Sequence, residues 1–195
     1  METKPVGILA LQGGYDAHAR CLTALGIPWQ LVRTPENLNL CRGLILPGGE
    51  STTHLKLLDR FELTGPIDNF VKQGSPVLAT CAGLILAAKV VSNPSQRAFG
   101  WIDVDVERNG WGRQVHSFET RLLESEIHES LRGTGEVHLM FIRAPRITRL
   151  GVSTEVIAEY QGEPIAVKQG SVLGMSFHPE LTNETRFHRL MFSQT

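Results

Sequence analysis

Neither sign of charge is in surplus in this chain: 19 Lys and Arg stand against 20 Asp and Glu, for a formal net charge of −1. Such a balance leaves no field to hold a polyanion by counterion release, so nucleic acid is not expected as a main partner. Long apolar runs are missing too. Val6 to Leu11 is stopped by Gln12-Gly13-Gly14, and Ala82 to Ala88 ends at Lys89. Both fall far short of the ~20 residues of a membrane span, and Met1 to Pro5 has no basic n-region. The expectation is a soluble, cytoplasmic protein with no membrane partner. Cysteine is scarce: Cys21, Cys41 and Cys81 cannot all pair, and no C-x-x-C occurs. That favours free thiols in a reducing compartment and argues against a zinc or redox pair, so no metal is expected. No G-x-G-x-x-G follows the first apolar run, and the glycine pair at 48 and 49 lacks the Lys-Ser/Thr of a phosphate loop, which sets the nucleotide reading aside. Internal repeats, low-complexity tracts and Pro, Gly or Ser linkers are also lacking.

What is present fits one core. At about 150 residues per domain, 195 residues make residues 1–195 a single domain, and 42% hydrophobic with 20% charged residues is ordinary globular composition. The first half alternates near-continuous apolar runs, Val6–Leu11, Trp29–Val32, Gly43–Leu46 and Pro76–Ala79, with helical patterns over Tyr15–Leu25, Thr52–Phe61, Ile67–Lys72 and Gly83–Val91. Runs apolar on both faces suit parallel strands between two helix layers. Ser51 is the expected N-cap of the second helix. Ile102 to Glu107 alternates strictly, as an antiparallel or edge strand does, and further strands are expected at 117–122, 137–142, 155–160, 165–168 and 172–177. The stretch 108–137, with a charged helical patch over 124–131, reads as an insertion, and the last helix as 184–192. The class is α/β: a mostly parallel sheet flanked by helices and finished by antiparallel strands.

Three segments carry the chemistry. Ala79-Thr80-Cys81-Ala82-Gly83 places a thiol between a buried strand and a helix with small residues on both sides, the arrangement of a nucleophile elbow. The helix start behind the sulfur favours a thiolate and offers N–H groups to an oxyanion. A buried core cysteine is the plain alternative. Ser176-Phe177-His178-Pro179-Glu180 ends the last strand, and residues i and i+2 of an extended segment point the same way. Glu180 could then hold the imidazole of His178 while His178 takes the thiol proton, although any one of the seven histidines alone is more readily a surface or core residue. Pro47-Gly48-Gly49-Glu50-Ser51 joins a strand to a helix, either as a plain turn or as a loop whose backbone N–H groups meet an anion or oxyanion.

Read in order, Leu9-Ala10-Leu11-Gln12-Gly13, Leu46 to Thr53, Thr80 to Ile85, Val106-Glu107-Arg108-Asn109, Gly112-Arg113-Gln114, Phe141 to Pro145 and Phe177 to Leu181 form a recognisable set. The chain resembles, from Leu9 to Leu181, the glutaminase subunits of two-component pyridoxal 5′-phosphate synthases, which are class I (triad) glutamine amidotransferases of flavodoxin-like fold. The resemblance implies hydrolysis of L-glutamine to glutamate and ammonia. Cys81 would be the nucleophile and His178 and Glu180 the rest of the triad, while Gly49, Glu50, Ser51, Arg108, Ile142 and Arg143 would hold the glutamine. The N–H groups of Gly49 and Ala82 are candidates for the oxyanion hole, and no cofactor or metal is required. A pyridoxal 5′-phosphate synthase subunit would accept the ammonia, with the peptide at Gln12-Gly13 as the movable element that couples hydrolysis to docking. Three departures stand out: Ala79 where the family usually has Gly, Gly110-Trp111 in place of a small residue and Phe, and a longer stretch between Phe118 and Phe141. Two rivals stay open, another Cys-His-Glu amidase or peptidase that uses Glu50 or Arg143 differently, and a non-catalytic scaffold of the same fold.

Overall fold

A computed structural model describes residues 4–111, 117–132 and 135–193. The first half runs β1 (Val6–Leu9), α1 (Tyr15–Ala24), β2 (Trp29–Val32), α2 (Pro35–Asn39), β3 (Gly43–Leu46), α3 (Ser51–Arg60), α4 (Thr64–Lys72), β4 (Val77–Thr80) and α5 (Ala82–Ala87). The second half adds β5 (Val90–Ser92), β6 (Val104–Glu107), β7 (Ser117–Leu122), β8 (Val137–Ile142), β9 (Arg146–Leu150), β10 (Glu155–Tyr160), β11 (Glu163–Gln169), β12 (Val172–Met175) and α6 (Arg186–Phe192). Every residue of β1, β3, β4 and β12 is buried. Only strands inside a sheet covered on both faces meet that condition. They lie side by side in a seven-stranded sheet of order β10-β11-β12-β4-β3-β1-β2, parallel from β12 to β2 and antiparallel at β10 and β11.

Side chains alternate between two cores, as the period of two in a strand requires. Leu9, Leu44, Leu46, Val77 and Ala79 pack with Leu58, Ile67 and Leu84 from α3, α4 and α5. Ile8, Ile45, Leu78, Leu173 and Met175 face the other way, onto Leu22 of α1 and Phe187 and Phe192 of α6. The ends of β1, β3, β4 and β12 therefore open on one edge of the sheet, where ligands bind in open α/β folds.

Tertiary pairing overrides the local pattern at several places. The helix expected to reach Val91 stops at Ala87, because Lys89 N–H donates to Val104 O (2.9 Å) and Val90–Ser92 pairs in parallel with Asp105–Glu107. β-Branched valines fit that ladder better than a helix. The alternating segment 104–107 is the middle strand of a second sheet, β5-β6-β9, antiparallel to β9 and parallel to β5, with Val104 and Val106 in the core. Glu50, not Ser51, caps α3: its carboxylate accepts from the N–H groups of Thr52 and Thr53. The patch at 124–131 forms two 3₁₀ turns, Glu124–Glu126 and Glu129–Leu131, separated by a bridge from Ile127 to Ala158. α2 was not foreseen, being a five-residue helix too short for periodicity and held by a Thr34 cap and Pro35.

Three histidines, His18, His54 and His188, are fully buried. Loss of water drives each below the ordinary imidazole value, His54 to about 4 and His188 to about 3. On His54 this outweighs the pull of the Gln12 carbonyl and the Glu50 carboxylate. The unfolded chain protonates these rings near pH 6.5, whereas the folded chain keeps them neutral, so stability falls as pH drops from 6.5 toward 4. Each neutral ring contributes a slope of about 1.4 kcal/mol per pH unit there. Urea unfolding should show a midpoint that declines between pH 6.5 and 4.5, before carboxylates titrate, and a His54→Leu variant that folds should show a shallower decline. A flat midpoint across that window would contradict the neutral state of the rings.

Candidate active site

Cys81 joins β4 to α5 with φ 48° and ψ −99°, a conformation rare for a residue with a side chain. Two backbone bonds hold it: Cys81 N–H donates to Met175 O (2.8 Å) and Cys81 O accepts from Ile85 N–H (3.1 Å). Gly83 makes the turn possible, since a Cβ there would lie 2.4 Å from Leu46 O and 3.2 Å from the Ala79 Cβ. Ala79 is tolerated because its neighbour across the turn has no side chain, so this departure leaves the elbow intact. The Cys81 Sγ comes within 3.9 Å of the Ile142 carbonyl, and the residue is 7% exposed.

His178 follows β12 and is fastened by its N–H to Met140 O at 2.8 Å. The chain does not continue extended, as the i, i+2 argument assumed. Pro179–Leu181 form a 3₁₀ turn that brings Glu180 back, so that His178 Nδ1 lies 2.7 Å from Glu180 Oε1. The predicted pair meets, by a turn that Pro179 starts rather than by strand alternation. Burial would lower the His178 value, but hydrogen bonds with Cys81 and Glu180 and the attraction of both groups push it up to about 10. Burial would raise Glu180, but His18 and His178 hold its carboxyl below the usual range. His178 is therefore favoured as an imidazolium, between the Cys81 sulfur and a carboxylate. Gly48 carries the ring on its other side, where a Cβ would stand 2.2 Å from His178 Cε1. Sequence reasoning placed Gly48 only in the ligand loop; the doubled glycine after a strand was the available signal.

These groups share a cleft of about 280 Å³ with Gly13, Gly49, Glu50, Ser51, Arg108, Ile142 and Arg143. Of the sequence-derived candidates only Gln12 and Ala82 do not line it. Ala82 opens the helix behind Cys81. Gln12 stands behind the loop: its Nε2 donates to Glu50 O (3.0 Å), its Oε1 accepts from Glu50 N–H (3.3 Å), and a Cβ on Gly49 would meet that Oε1 at 2.6 Å. Gly14 N–H donates to Gly48 O (3.1 Å), and any Cβ on Gly13 would collide with the same oxygen.

Arg108 Nη2 donates to Glu50 Oε1 at 3.0 Å, so this cation and anion already form one wall. Burial works against the Glu50 charge, yet the Thr52 hydroxyl and the amides of Thr52 and Thr53 hold its carboxyl down to about 2. Ser51 is buried, its hydroxyl donating to Gln96 Oε1 (2.7 Å). Arg143 is exposed at φ 43° on the turn after β8. Asn109, Ile85 and Leu181 line the cleft too and were not foreseen. Gly112-Arg113-Gln114 lie outside the described residues. Trp111 packs on Phe118, Phe141 and Tyr160, with its Nε1–H on Pro145 O (3.1 Å). Among the described residues no group of three or more His, Cys, Asp or Glu is placed to hold a metal ion, and no helix is long and apolar enough to cross a membrane.

The chain is 46% identical over 191 residues to pyridoxal 5′-phosphate synthase subunit PdxT of Solibacter usitatus, covering 98% of this chain and 99% of that one. It is 44% identical over 184 residues to the protein of the same name from Thermotoga neapolitana, covering 94% and 95%. A crystal structure of a glutamine amidotransferase superposes with a TM-score of 0.86 at 44% identity, over 95% of this chain and 96% of that chain. The model of one family, the SNO glutamine amidotransferases, matches residues 8–195. A thiol on a strained elbow, a buried His-Glu pair facing it and a match along nearly the full length place this chain in the SNO glutamine amidotransferase family.

Proposed function

We propose that the chain, acting over residues 1–195 as one glutaminase domain in the cytoplasm, hydrolyses L-glutamine and passes the ammonia to a pyridoxal 5′-phosphate synthase subunit docked over the cleft. The observation that carries this reading is the elbow cysteine facing a buried imidazole whose far nitrogen is held 2.7 Å from a carboxylate. Cys81 Sγ attacks the side-chain amide carbon, and His178 protonates the departing nitrogen, releasing ammonia and leaving a γ-glutamyl thioester. His178 then takes a proton from water, which cleaves the thioester to glutamate and restores the thiol. Glu180 keeps the ring in orientation throughout. Backbone N–H groups of Gly49 and Ala82 receive the oxyanion, each such donor supplying about 3 kcal/mol. No step calls for a metal or organic cofactor.

The amino-acid end of glutamine carries both charges, and the Glu50–Arg108 wall presents the complement of each. Gly49, Ser51, the Ile142 backbone and Arg143 complete the rim that holds it. The Gln12-Gly13 peptide is the switch: the Gln12 side chain bonds Glu50 and Gly14 N–H bonds Gly48 O, on the loop that supplies one oxyanion donor, so a partner that moves the peptide also moves that donor. Coupling has a chemical reason, because free ammonia is mostly protonated near neutral pH and is then no nucleophile.

Cys81→Ala should lower glutamate release by at least ~10³-fold with the fold retained, and His178→Asn should be comparably inactive, while Glu180→Gln keeps more activity. Near wild-type turnover in Cys81→Ala would refute the triad. Replacing Arg108 or Arg143 by Lys should raise KM for glutamine more than it lowers kcat, since a bidentate fork is lost; an unchanged KM in both would remove them from the substrate site. Glutamate release should rise when the synthase subunit is added, and Gln12→Ala should blunt that rise. Equal rates with and without the subunit would refute partner activation.

A further inference from the structure

Behind the triad, away from the cleft, the polar chain continues. The Glu180 side chain is 1% exposed, its Oε1 is taken by His178, and its Oε2 has no hydrogen-bond partner among the described residues. A carboxylate so placed is under-compensated, since a buried anion needs donors for both oxygens. The next polar group is His18 of α1, whose Nε2 stands 3.6 Å from Glu180 Oε1 and 3.3 Å from Thr80 Oγ1. Its other nitrogen, Nδ1, lies 2.9 Å from Nε2 of His188 on α6. Both rings have no exposure to solvent, and burial keeps both in the neutral state.

A neutral imidazole has one N–H, so the His18–His188 contact admits two arrangements. If His18 Nδ1–H is the donor, its bare Nε2 points a lone pair at the Glu180 anion. His188 would then carry its proton on Nδ1, directed toward the Glu184 carbonyl but short of a well-formed hydrogen bond. If His188 Nε2–H is the donor, His18 Nε2–H faces Glu180 and Thr80, and the nitrogen left without a partner on His188 is an acceptor. The first arrangement suits the Glu184 carbonyl but sets a lone pair against the Glu180 anion; the second puts an N–H there instead, at the cost of a bare His188 Nδ1, and the charge at Glu180 decides for it.

We infer that His18 and His188 are positioning residues for the hydrolytic reaction: His188 Nε2–H fixes His18, and the N–H end of His18, 3.6 Å from Oε1, steadies the Glu180 carboxylate electrostatically and, through it, His178. This deepens the triad reading and rests on it. The link also explains why a polar ring occupies the buried face of α1 one turn before Leu22, where an aliphatic side chain would pack without desolvation cost. Thr80, the residue before the nucleophile, shares the His18 Nε2–H, so the same ring touches both arms of the triad.

The tautomers can be read directly. Imidazole ¹⁵N spectra of the full-length chain should show the proton on Nε2 of both His18 and His188; a proton on His18 Nδ1 would overturn the inference, whatever the chain's activity. Kinetics supply the functional arm, with glutamate release measured in the presence of the synthase subunit. His18→Gln sets an amide N–H near the position of Nε2, whereas His18→Asn reaches only the Nδ1 position. His18→Asn should lower kcat about tenfold or more with KM within about twofold, and His18→Gln should lose only about threefold. His18→Asn combined with Glu180→Gln should be no worse than Glu180→Gln alone, because His18 acts through that carboxylate. Equal losses in the Gln and Asn variants that track their melting temperatures, or losses that multiply with Glu180→Gln, would reduce His18 to a structural role. Full activity in Cys81→Ala would instead sink the triad itself and leave the tautomer result standing.

Discussion

One parallel strand pair, β4 with β12, sets Cys81 and His178 against each other. Met175 ends β12 opposite Thr80 and gives its carbonyl to Cys81 N–H, and three residues later the same segment presents His178. The bond that holds the elbow thus also registers the imidazole against it. A conformation like that of Cys81 costs of order 1–3 kcal/mol and survives only where its surroundings over-determine it. Here they do: β12 binds its amide, α5 takes its carbonyl, and Gly83 lets α5 sit directly on Leu46 of β3.

Around that pair, single residues carry several duties. Glu50 caps α3, pairs with Arg108 and receives Gln12 on both of its backbone polar groups. Its charge persists to about pH 2 because cap donors, fixed by the helix, hold it. The loops after β1 and β3 are therefore one connected rim, and its Gly48 lies against the ring of His178. Gly48 has no side chain for the reason Gly83 has none, since another group occupies the space of a Cβ.

The edge opposite β2 is finished by β10 and β11, and the β7–β8 hairpin brings Met140 and Ile142 to the site. Trp111, Phe118, Phe141 and Tyr160 form the aromatic wedge that fixes this hairpin on the sheet. The unusual Gly110-Trp111 pair belongs to that wedge, with Gly110 packed against the Arg146 backbone and Cβ.

By itself the sequence determined most of the central sheet, because the runs that become Val6–Leu9, Gly43–Leu46 and Val77–Thr80 are apolar on both faces and suit a doubly covered parallel sheet; that Val172–Met175 joins them in parallel beside Val77–Thr80 was decided by the tertiary structure. It also marked Cys81, His178 and Glu180, since small residues around a strand-end thiol and a His-x-Glu at another strand end are local signals, and the motif order pointed to the family. Other features depended on pairing between distant segments. Val90 and Val91 are as apolar as the helix before them, and only Asp105 to Glu107 turns them into a strand. Ser51 is as good a cap as Glu50 by type, and the choice falls to backbone geometry at the end of β3. His18 and His188 lie 170 positions apart in a chain with seven histidines, and nothing local separates them from ordinary core or surface rings. Their roles exist only because α1 and α6 pack on the same face of the sheet, which places two desolvated imidazoles behind one buried carboxylate.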